Sequence, residues 1–346
     1  MKKNLLFILS LSLFLFNACK KSTDDPKPIV DPVIPPPTTT PYTPDNSFKI
    51  VAYMPSYRDP GLIADQKYKM ITHLLYAFLR PNPTADGSVT LESAANFAAI
   101  RQKAKDNHVK FGVSVSAAES VFAAIAASTS ARATFIRNLV TFATANKLDG
   151  IDIDWEYPRT VNSGPSTDFT RLMQELSTEL HREGLFLSAA ITPGVYASTN
   201  RDAIEAAAYT YVDFFNIMQY DGPGYDTAEP LNHASLKMTD ASLNFWLNTK
   251  GMPKDKAILG IPLYGKSASG SSIGFRDIEA SGADITQNVA TVNGTAYGFN
   301  GTALVKTKAQ RAKDRCNGIM FWEFAHDSNT TNSLIKAAND QLGRAY

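Results

Sequence analysis

Three carboxylic acids alternate with apolar residues in one short segment of the chain. Residues 149–158 read DGIDIDWEYP, so Asp152, Asp154 and Glu156 occupy every second position. Side chains alternate between the two faces of a strand, so this spacing predicts a column of acids about 6.6 Å apart on one face. Crowded carboxylates take up protons as a coupled group, which leaves one of them protonated near neutral pH. Such a column favours general acid catalysis.

Two other interpretations of this segment compete with catalysis. A solvent-facing strand conflicts with Ile151, Ile153 and Trp155, which need a buried environment on the opposite face. A calcium site conflicts with the spacing, which lacks the glycine and the later glutamate of a calcium-binding loop, and no histidine lies nearby. We therefore expect no metal and no other cofactor at this site.

The segment resembles the DxxDxDxE signature of family 18 glycoside hydrolases, the chitinase family. Asp149, Asp152, Asp154 and Glu156 match its four acidic positions, and the ending WEYP matches the commonest chitinase form. The resemblance implies a glycoside hydrolase built on a (β/α)8 barrel. It also implies a substrate that contains N-acetylglucosamine, with chitin or chitooligosaccharides as the first candidates.

The elements that must position these acids are predicted from apolar periodicity. Apolar segments typical of strands cover residues 49–53, 71–79, 110–116, 150–157, 186–191, 214–220, 257–264 and 318–324. Between them, apolar residues at i, i+3 and i+4 predict helices at residues 95–107, 131–147, 167–183, 201–211, 235–249 and 332–342. Strands that alternate with helices predict an α/β fold, here a closed (β/α)8 TIM barrel. A doubly wound sheet is the alternative, but no glycine-rich nucleotide turn follows the first strand.

Polar and aromatic residues mark the carboxyl ends of the other predicted strands, where a barrel places its active site. Such a set predicts a cleft that stacks sugar rings and orients them with hydroxyls and carboxylates. By alternation, Trp155 is expected to face outward into the helix layer. The resemblance extends to these strand ends and implies substrate-binding residues at Tyr53, Phe78, Met218, Gln219, Asp221 and Trp322, with Tyr220 as a further catalytic residue.

The position of two acids on one strand limits the mechanism. Asp154 and Glu156 approach a substrate from the same side, so Asp154 is badly placed as an in-line nucleophile. In the family that the chain resembles, the 2-acetamido oxygen of the substrate attacks instead, and the configuration is retained. The resemblance implies that Glu156 is acid and base, that Asp154 orients the acetamido group and that Asp152 shares a proton with Asp154. It further implies that Tyr220 donates to the acetamido carbonyl and that Trp322 packs against its methyl group.

The third predicted strand departs from the family pattern, which is usually S-x-G-G. This chain keeps the serine, Ser114, but has Ser116 and Ala117 in place of the two glycines. Glycine permits close approach of the backbone, so the change is expected to narrow the cleft floor or to move the following loop. It leaves open which hydrogen bonds the supporting residues, Asp149 and Ser114, make.

Many processive members of this family insert an α+β domain between the seventh and eighth strands. The corresponding interval in this chain, between Tyr264 and Gly318, is short by comparison. The same residues must also supply the seventh helix of the barrel. We therefore predict at most a small insertion between the seventh and eighth strands, namely a β-hairpin near residues 290–299, and a shallower cleft.

The N-terminal residues have the features of an export signal and a tether. Residues 1–19 are predicted as a lipoprotein-type signal peptide, because two lysines precede an apolar run that is too short to span a bilayer. The small residue before Cys19 resembles a bacterial lipoprotein cleavage site and predicts lipidation of Cys19; an ordinary signal peptide is the alternative. Proline-rich residues 20–47 are predicted as a linker, and residues 48–346 as the catalytic barrel. We expect a cell-surface or outer-membrane lipoprotein of a Gram-negative bacterium, or otherwise a periplasmic or secreted protein.

The composition narrows the range of partners. A net charge of +1 and the lack of a basic run argue against nucleic acid. Only Cys316 remains if Cys19 is lipidated, so no internal disulfide is expected, and the apolar run after Cys316 favours packing over catalysis. The five histidines show no metal-ligand spacing. We expect a monomer whose contact with a membrane is limited to the N-terminal lipid.

Four functions are compatible with these residues. A chitinase that cleaves β-1,4 bonds between N-acetylglucosamine units is favoured by the WEYP ending. An endo-β-N-acetylglucosaminidase acting on N-glycans shares the barrel, the signature and the mechanism, and the short insertion leaves it open. Peptidoglycan cleavage uses the same chemistry. A chitinase-like glycan-binding lectin is disfavoured, because such proteins usually lose the glutamate that is present here as Glu156.

Overall fold

Eight parallel strands close into a barrel in the computed structural model, which describes residues 42–161, 164 and 166–346. The strands of the chain are β1 (Lys49–Pro55), β2 (His73–Pro81), β3 (Val89–Leu91), β4 (Lys110–Ala117), β5 (Gly150–Trp155), β6 (Phe186–Ile191), β7 (Phe214–Ile217), β8 (Ala257–Pro262), β9 (Tyr264–Ser267), β10 (Ser272–Gly274), β11 (Val289–Val292), β12 (Thr295–Gly298) and β13 (Gly318–Trp322). In the barrel β1 is followed by β2, then by β4 to β8, and β13 closes back onto β1, while β3 pairs with β2 in the antiparallel direction. The predicted (β/α)8 TIM barrel is confirmed.

Helices connect the barrel strands. They are α1 (Asp65–Tyr68), α2 (Ala94–Asp106), α3 (Glu119–Ala127), α4 (Thr129–Ala145), α5 (Thr167–Arg182), α6 (Thr199–Asp202), α7 (Ala208–Tyr211), α8 (Leu236–Leu243), α9 (Phe275–Ala280), α10 (Thr302–Arg315) and α11 (Leu334–Leu342). One prediction is wrong, because residues 201–211 form the two short helices α6 and α7 instead of one. The apolar residues that suggested a continuous helix include Ala203 and Ile204, which are buried in the non-helical stretch between them.

The barrel wall separates two apolar clusters. The inner cluster includes Phe186 and Phe214, and the outer one lies between the strands and the helices. A Cβ atom at Gly150 would lie 2.3 Å from Cγ of Phe186, so glycine at the start of β5 lets that ring fill the barrel interior. On the outer side, the Trp155 ring stacks on Phe122 with centroids 5.4 Å apart, which agrees with its predicted outward direction.

A second, smaller sheet is inserted between β8 and β13. Its four antiparallel strands have the order β10-β9-β12-β11. The hairpin of β11 and β12 agrees with the predicted hairpin near residues 290–299. The restriction to a single hairpin is wrong, because β9 and β10 form a second one. The segment that forms β9 and β10 is rich in serine and glycine and has no apolar alternation, so its sequence carries no strand signal.

Residues 42–47, within the predicted linker, contact the amino-terminal end of the barrel. The Tyr42 ring stacks on the His181 ring with centroids 4.0 Å apart. Its hydroxyl donates a hydrogen bond of 3.0 Å to the carboxylate of Asp213, which immediately precedes β7. This contact lies at the opposite end of the barrel from the carboxyl ends of the strands.

The remaining N-terminal predictions fall on residues that the structure does not describe. The signal peptide at residues 1–19, the lipidation site Cys19 and residues 20–41 of the linker all lie outside the described residues. Within the described part of the chain, no helix is long and apolar enough to cross a membrane. Cys316 is buried, in agreement with a packing role.

Candidate active site

The acid column lies at the carboxyl end of β5. Asp152 and Asp154 belong to the strand and are buried, whereas Glu156 is the first residue after the strand and is exposed. The predicted strand over residues 150–157 is therefore two residues too long. Since Trp155 faces the helices, its two acidic neighbours face the barrel mouth, where both line one cavity.

Asp152 is held at the base of the column by four hydrogen bonds. Its Oδ2 accepts from the Tyr53 hydroxyl at 2.9 Å and from the Ser114 hydroxyl at 2.8 Å. Its Oδ1 accepts from the Ser188 hydroxyl at 2.6 Å and from Asn216 Nδ2 at 3.3 Å. Burial raises the pKa of Asp152, and the four hydrogen bonds oppose this rise because they stabilise the ionised form. Ser114 thus supports the column as predicted, and Ser188 and Asn216 are supporting residues that were not predicted.

Asp154 and Glu156 occupy an environment that disfavours two negative charges. Asp154 is 4% exposed, and its Oδ1 has no hydrogen-bond partner among the described residues. Burial, followed by the charges of Glu156 and Asp152, raises the pKa of Asp154 well above its usual value. Although the Glu156 side chain is open to solvent, partial burial by the cleft walls raises its pKa as well. The pair therefore holds a proton to higher pH than isolated carboxyl groups would, which favours general acid catalysis.

A cavity of about 230 Å³ opens at the top of the column. It is lined by Tyr53, Asp154, Glu156, Tyr157, Ala190, Pro193, Met218, Tyr220, Asp221, Tyr264 and Trp322. The Trp322 ring lies 5.6 Å from the Tyr53 ring and 6.1 Å from the Phe78 ring, so the three rings form one aromatic surface. Six residues that we predicted at the site, Tyr53, Phe78, Met218, Tyr220, Asp221 and Trp322, therefore lie together in this cleft.

The inserted sheet contributes two side chains to the cleft through β9. The Tyr264 hydroxyl donates a hydrogen bond of 2.5 Å to Asp221, and the Lys266 ammonium lies 2.8 Å from the same oxygen. Burial alone would raise the pKa of Asp221, but hydrogen bonds from its neighbours hold this pKa well below its usual range. Asp221 therefore stays ionised when the pair below it carries a proton. Neither Tyr264 nor Lys266 was predicted as a site residue.

His233 fixes the backbone that carries Asp221. Its Nδ1 accepts a hydrogen bond of 3.1 Å from the backbone N–H of Asp221. Its Nε2 lies 3.1 Å from the carbonyl oxygen of Tyr264 and can only act there as a donor. The imidazole is therefore the neutral tautomer with its proton on Nε2. It joins the loop after β7 to the start of the inserted sheet.

The assignment of Gln219 to the substrate-binding residues is wrong. Its side chain is completely buried and points away from the cavity, toward α8 and α10. There its Oε1 accepts hydrogen bonds from the Thr239 hydroxyl at 2.8 Å and from the Lys308 ammonium at 3.0 Å. Met218 and Tyr220 line the cavity just after the end of β7, whereas Gln219 between them lies on the opposite side, toward the helices.

Asp149 supports the barrel at a distance from the cleft. Its Oδ2 accepts a hydrogen bond of 2.7 Å from the backbone N–H of Phe111, near the start of β4. Asp149 itself immediately precedes β5. Asp149 therefore joins the beginnings of two neighbouring strands, and it does not line the cavity.

The altered third barrel strand, β4, keeps its place beside the column. It runs through Ala117 and stays in parallel register with β5, which places Ser116 opposite Asp154. The hydrogen bond from Ser114 to Asp152 is present at 2.8 Å. Loss of the two glycines thus leaves the support of the column intact.

Within residues 42–161, 164 and 166–346, no group of three or more His, Cys, Asp or Glu side chains is arranged to hold a metal ion. The arrangement can give and take a proton at Glu156, next to an aromatic surface.

The fold and the site define a (β/α)8 barrel with a carboxylate cleft at its mouth. Residues 49–327 match the family "Glycosyl hydrolases family 18", and the chain belongs to this family. The match includes every barrel strand and the inserted sheet.

Individual relatives are chitinases by name. The chain is 28% identical over 257 residues to a probable endochitinase of Caenorhabditis elegans, covering 66% of the chain and 40% of that protein. It is 29% identical over 245 residues to chitinase 63 of Streptomyces plicatus, covering 57% of the chain and 38% of that protein. The chain thus matches less than half the length of these relatives. A solved structure of a mutant class V chitinase from Nicotiana tobaccum in complex with NAG4 is similar in fold, with a TM-score of 0.73 at 21% identity, covering 87% of this chain and 100% of that chain.

Proposed function

We propose that the chain is a retaining glycoside hydrolase that cleaves β-1,4 bonds in N-acetylglucosamine-containing glycans, with chitin or chitooligosaccharides as substrates. The observation that carries the proposal is the pair of Asp154 and Glu156, which retains a proton at the mouth of an aromatic cleft. Membership of family 18 and the names of the relatives support this substrate class. The complex of the tobacco chitinase with NAG4 supports it as well.

In the first step, Glu156 donates its proton to the glycosidic oxygen, and the bond between that oxygen and the anomeric carbon breaks. Asp154 lies only two residues before Glu156 and approaches from the same side, so it is not placed as an opposing nucleophile. The carbonyl oxygen of the substrate's 2-acetamido group instead bonds to the anomeric carbon and forms a cyclic oxazolinium ion. Asp154 accepts a hydrogen bond from the acetamido N–H and balances the positive charge of this ion.

In the second step, the ionised Glu156 takes a proton from water. The water oxygen bonds to the anomeric carbon as the oxazolinium ring opens and the acetamido group is restored. Two inversions at one carbon retain its configuration. Substrates that lack the N-acetyl group are therefore expected to be inert.

Three further side chains complete the proposed site. Asp152, bonded from four other strands, shares a proton with Asp154 when Asp154 reorients toward it. Tyr220 lines the cavity and donates to the acetamido carbonyl. Trp322 packs against the acetamido methyl group, and its contacts with Tyr53 and Phe78 extend the surface on which the sugar stacks.

The test is a turnover assay of the purified protein on chitin oligosaccharides and on a high-mannose glycoprotein, analysed by mass spectrometry. Cleavage of the oligosaccharides with retention, followed by NMR of the new anomer, is the expected result. Release of N-glycans instead would assign the chain as an endo-β-N-acetylglucosaminidase. Binding of either glycan without cleavage between about pH 4 and pH 8, where carboxyl groups titrate, would overturn the enzyme in favour of a lectin.

We further propose that the chain is exported and anchored through a lipid on Cys19, and that it is a monomer. The motif around Cys19 and the proline-rich residues after it support this proposal. Cell fractionation is expected to place the wild type with membranes and the Cys19→Ser variant in the soluble fraction. An unchanged distribution would remove the anchor, and light scattering of the soluble variant tests the oligomeric state.

A further inference from the structure

Arg80, at the carboxyl end of β2, contacts three parts of the cleft rim. Its guanidinium carbon lies 4.4 Å from the centroid of the Phe78 ring. Its Nε donates a hydrogen bond of 2.8 Å to Glu92, which follows β3, and its Nη1 donates one of 3.2 Å to the backbone carbonyl of Ser116. One side chain therefore joins the aromatic surface, the end of β4 and the loop after β3.

Two of these contacts are with residues that lie next to groups of the proposed site. The Phe78 ring is stacked on Trp322, with an angle of 24° between the planes. Ser116 lies opposite Asp154 in the parallel register of β4 and β5. A side chain that holds the Ser116 carbonyl therefore holds the backbone beside Asp154. This is also the position where the chain has lost the first of the two glycines of the strand-three pattern.

The ion pair of Arg80 with Glu92 does not by itself explain the arrangement. The two side chains are 39% and 37% exposed, and exposed ion pairs contribute little to stability. Glu92 is in turn held by the Ser56 hydroxyl, at 2.7 Å. The ion pair of Arg80 and Glu92 is therefore better suited to orient the Arg80 guanidinium than to stabilise the fold.

Arg80 also differs in charge from its neighbours at the column. The ionisable groups whose charges influence Asp154 or are influenced by it are Asp152 and Glu156 from its own segment, Tyr53 from β1, Arg80 from β2, and Tyr157 and Tyr220 from the loops after β5 and β7. Burial and the two carboxylates raise the pKa of Asp154, whereas the charge of Arg80 lowers it. Arg80 thus opposes the uptake of a second proton by the pair.

We propose that Arg80 is a positioning residue that acts through Asp154. It fixes the end of β4 and the Phe78 ring, and it places a positive charge at the Ser116 backbone, opposite Asp154 in the strand register. The inference rests on the proposed function, in which the pair of Asp154 and Glu156 carries one proton and Asp154 orients the acetamido group. It assigns a part in the reaction to a residue that lies outside the acid signature.

The kinetic test compares Arg80→Met, which keeps an apolar stem without charge, with Arg80→Lys, which restores the charge. Arg80→Met is expected to lower kcat/KM about tenfold, the effect of one lost charge-assisted contact. It is also expected to move the acidic limb of the pH profile to higher pH, because a second proton then binds more readily. Arg80→Lys is expected to return that limb toward the wild-type position. A lower rate or a lower Tm with an unmoved acidic limb would overturn the proposal.

Arg101 offers a matched control outside the cleft. Its guanidinium carbon lies 5.9 Å from the centroid of the Phe97 ring, and its Nη1 donates a hydrogen bond of 2.7 Å to the carbonyl oxygen of Asn146. Like Arg80, it therefore contacts one aromatic ring and one backbone carbonyl. Arg101→Met is expected to leave kcat/KM and the pH profile unchanged. A shift of the acidic limb equal to that of Arg80→Met would overturn the proposal.

A second measurement needs no substrate. The carboxyl ¹³C resonance of Asp154, identified by its loss in Asp154→Asn, is followed by NMR as the pH is changed. Arg80→Met is expected to move this titration to higher pH, and Arg101→Met is not. An unmoved titration overturns the role of Arg80 whatever the substrate. A moved titration in a protein that cleaves no N-acetylglucosamine glycan supports the role of Arg80 and overturns the proposed function.

Discussion

The Tyr53 hydroxyl donates a hydrogen bond of 2.9 Å to Asp152 Oδ2 across the interior of the barrel, from β1 to β5. The same hydroxyl oxygen accepts a hydrogen bond of 2.9 Å from Asn216 on β7. Strands that are far apart in the sequence thus meet at the base of the acid column. Because the interior is closed to water, each of these polar groups depends on the others for its hydrogen bonds.

Glu156→Gln is expected to lower turnover by about 10²- to 10⁴-fold, the usual contribution of a general acid. The amide keeps the shape of the side chain but has no proton to give to a leaving oxygen. Oligosaccharide binding by calorimetry and the Tm are expected to stay close to the wild-type values. The control is Glu175→Gln, since Glu175 pairs with Arg132 in the helix layer at 2.7 Å. Turnover of Glu156→Gln above a few per cent of the wild type would contradict the assignment.

Asp154→Asn is expected to make the protein more stable at about pH 8. The folded state raises the pKa of Asp154 above its unfolded value, so folding is favoured while the group is protonated. That contribution is lost as the pH rises through the folded pKa, and asparagine, which cannot ionise, avoids the loss. The gain is expected to shrink toward pH 4, near the ordinary pKa of aspartate. Chemical denaturation at several pH values measures it.

Asp221→Asn is the matched control, because the same substitution in the same cleft is expected to change the stability in the opposite direction. The folded state lowers the pKa of Asp221, so its ionised form adds stability above the unfolded pKa, and this stability is lost as the pH falls through the folded pKa. Asp221→Asn is therefore expected to be less stable than the wild type at about pH 8, with a smaller difference in acid. Equal signs for the two variants would contradict this description of the cleft charges.

Lys266→Met is expected to move the alkaline limb of the kcat/KM profile to higher pH. The ammonium lies 2.8 Å from Asp221, and the charge of Asp221 raises the pKa of Glu156. Without the ammonium, Glu156 experiences more of that charge and keeps its proton to higher pH. Lys237→Met serves as the control, because Lys237 is 60% exposed and 4.0 Å from Asp226. A limb that moves to lower pH, or not at all, would refute the coupling of the inserted sheet to the acid.

Gln219→Ala is expected to reduce the free energy of unfolding by about 1–3 kcal/mol, the cost of leaving buried polar groups without a partner. The substitution removes an acceptor from the Thr239 hydroxyl and from the buried Lys308 ammonium. KM for oligosaccharides is expected to stay within about twofold of the wild type, since less than about 0.5 kcal/mol of binding is involved. A large rise in KM with unchanged stability would return Gln219 to the substrate-binding residues.

Much of the barrel could be predicted because its signals are local. A period of two places Asp152 and Asp154 on one face of β5 and Trp155 on the other, whatever surrounds them. The same rule could have excluded Gln219, which lies between two residues assigned to the cleft. Ser188 and Asn216 could also have been predicted as supporting residues, since each is a single polar residue within an apolar strand.

The contribution of the inserted sheet could not be predicted in this way. Tyr264 and Lys266 lie on β9, which pairs with two strands of the insertion, and one of those, β12, is separated from β9 in the sequence by β10, α9 and β11. Neither the serine-rich segment after Tyr264 nor the length of the insertion indicates that pairing. Arg80 is similar, because its contacts with Glu92 and Ser116 depend on how three strand ends meet.

The contact of Tyr42 with His181 and Asp213 places the entry of the chain at the end of the barrel away from the cleft. Among the described residues, no group of the acid column or of its aromatic surface is bonded to this segment. Changes to the chain before Tyr42 are therefore expected to leave the reacting atoms in place. The two rims of the barrel are in this sense independent: the described chain enters at the amino-terminal rim, and the proposed reacting atoms lie at the other.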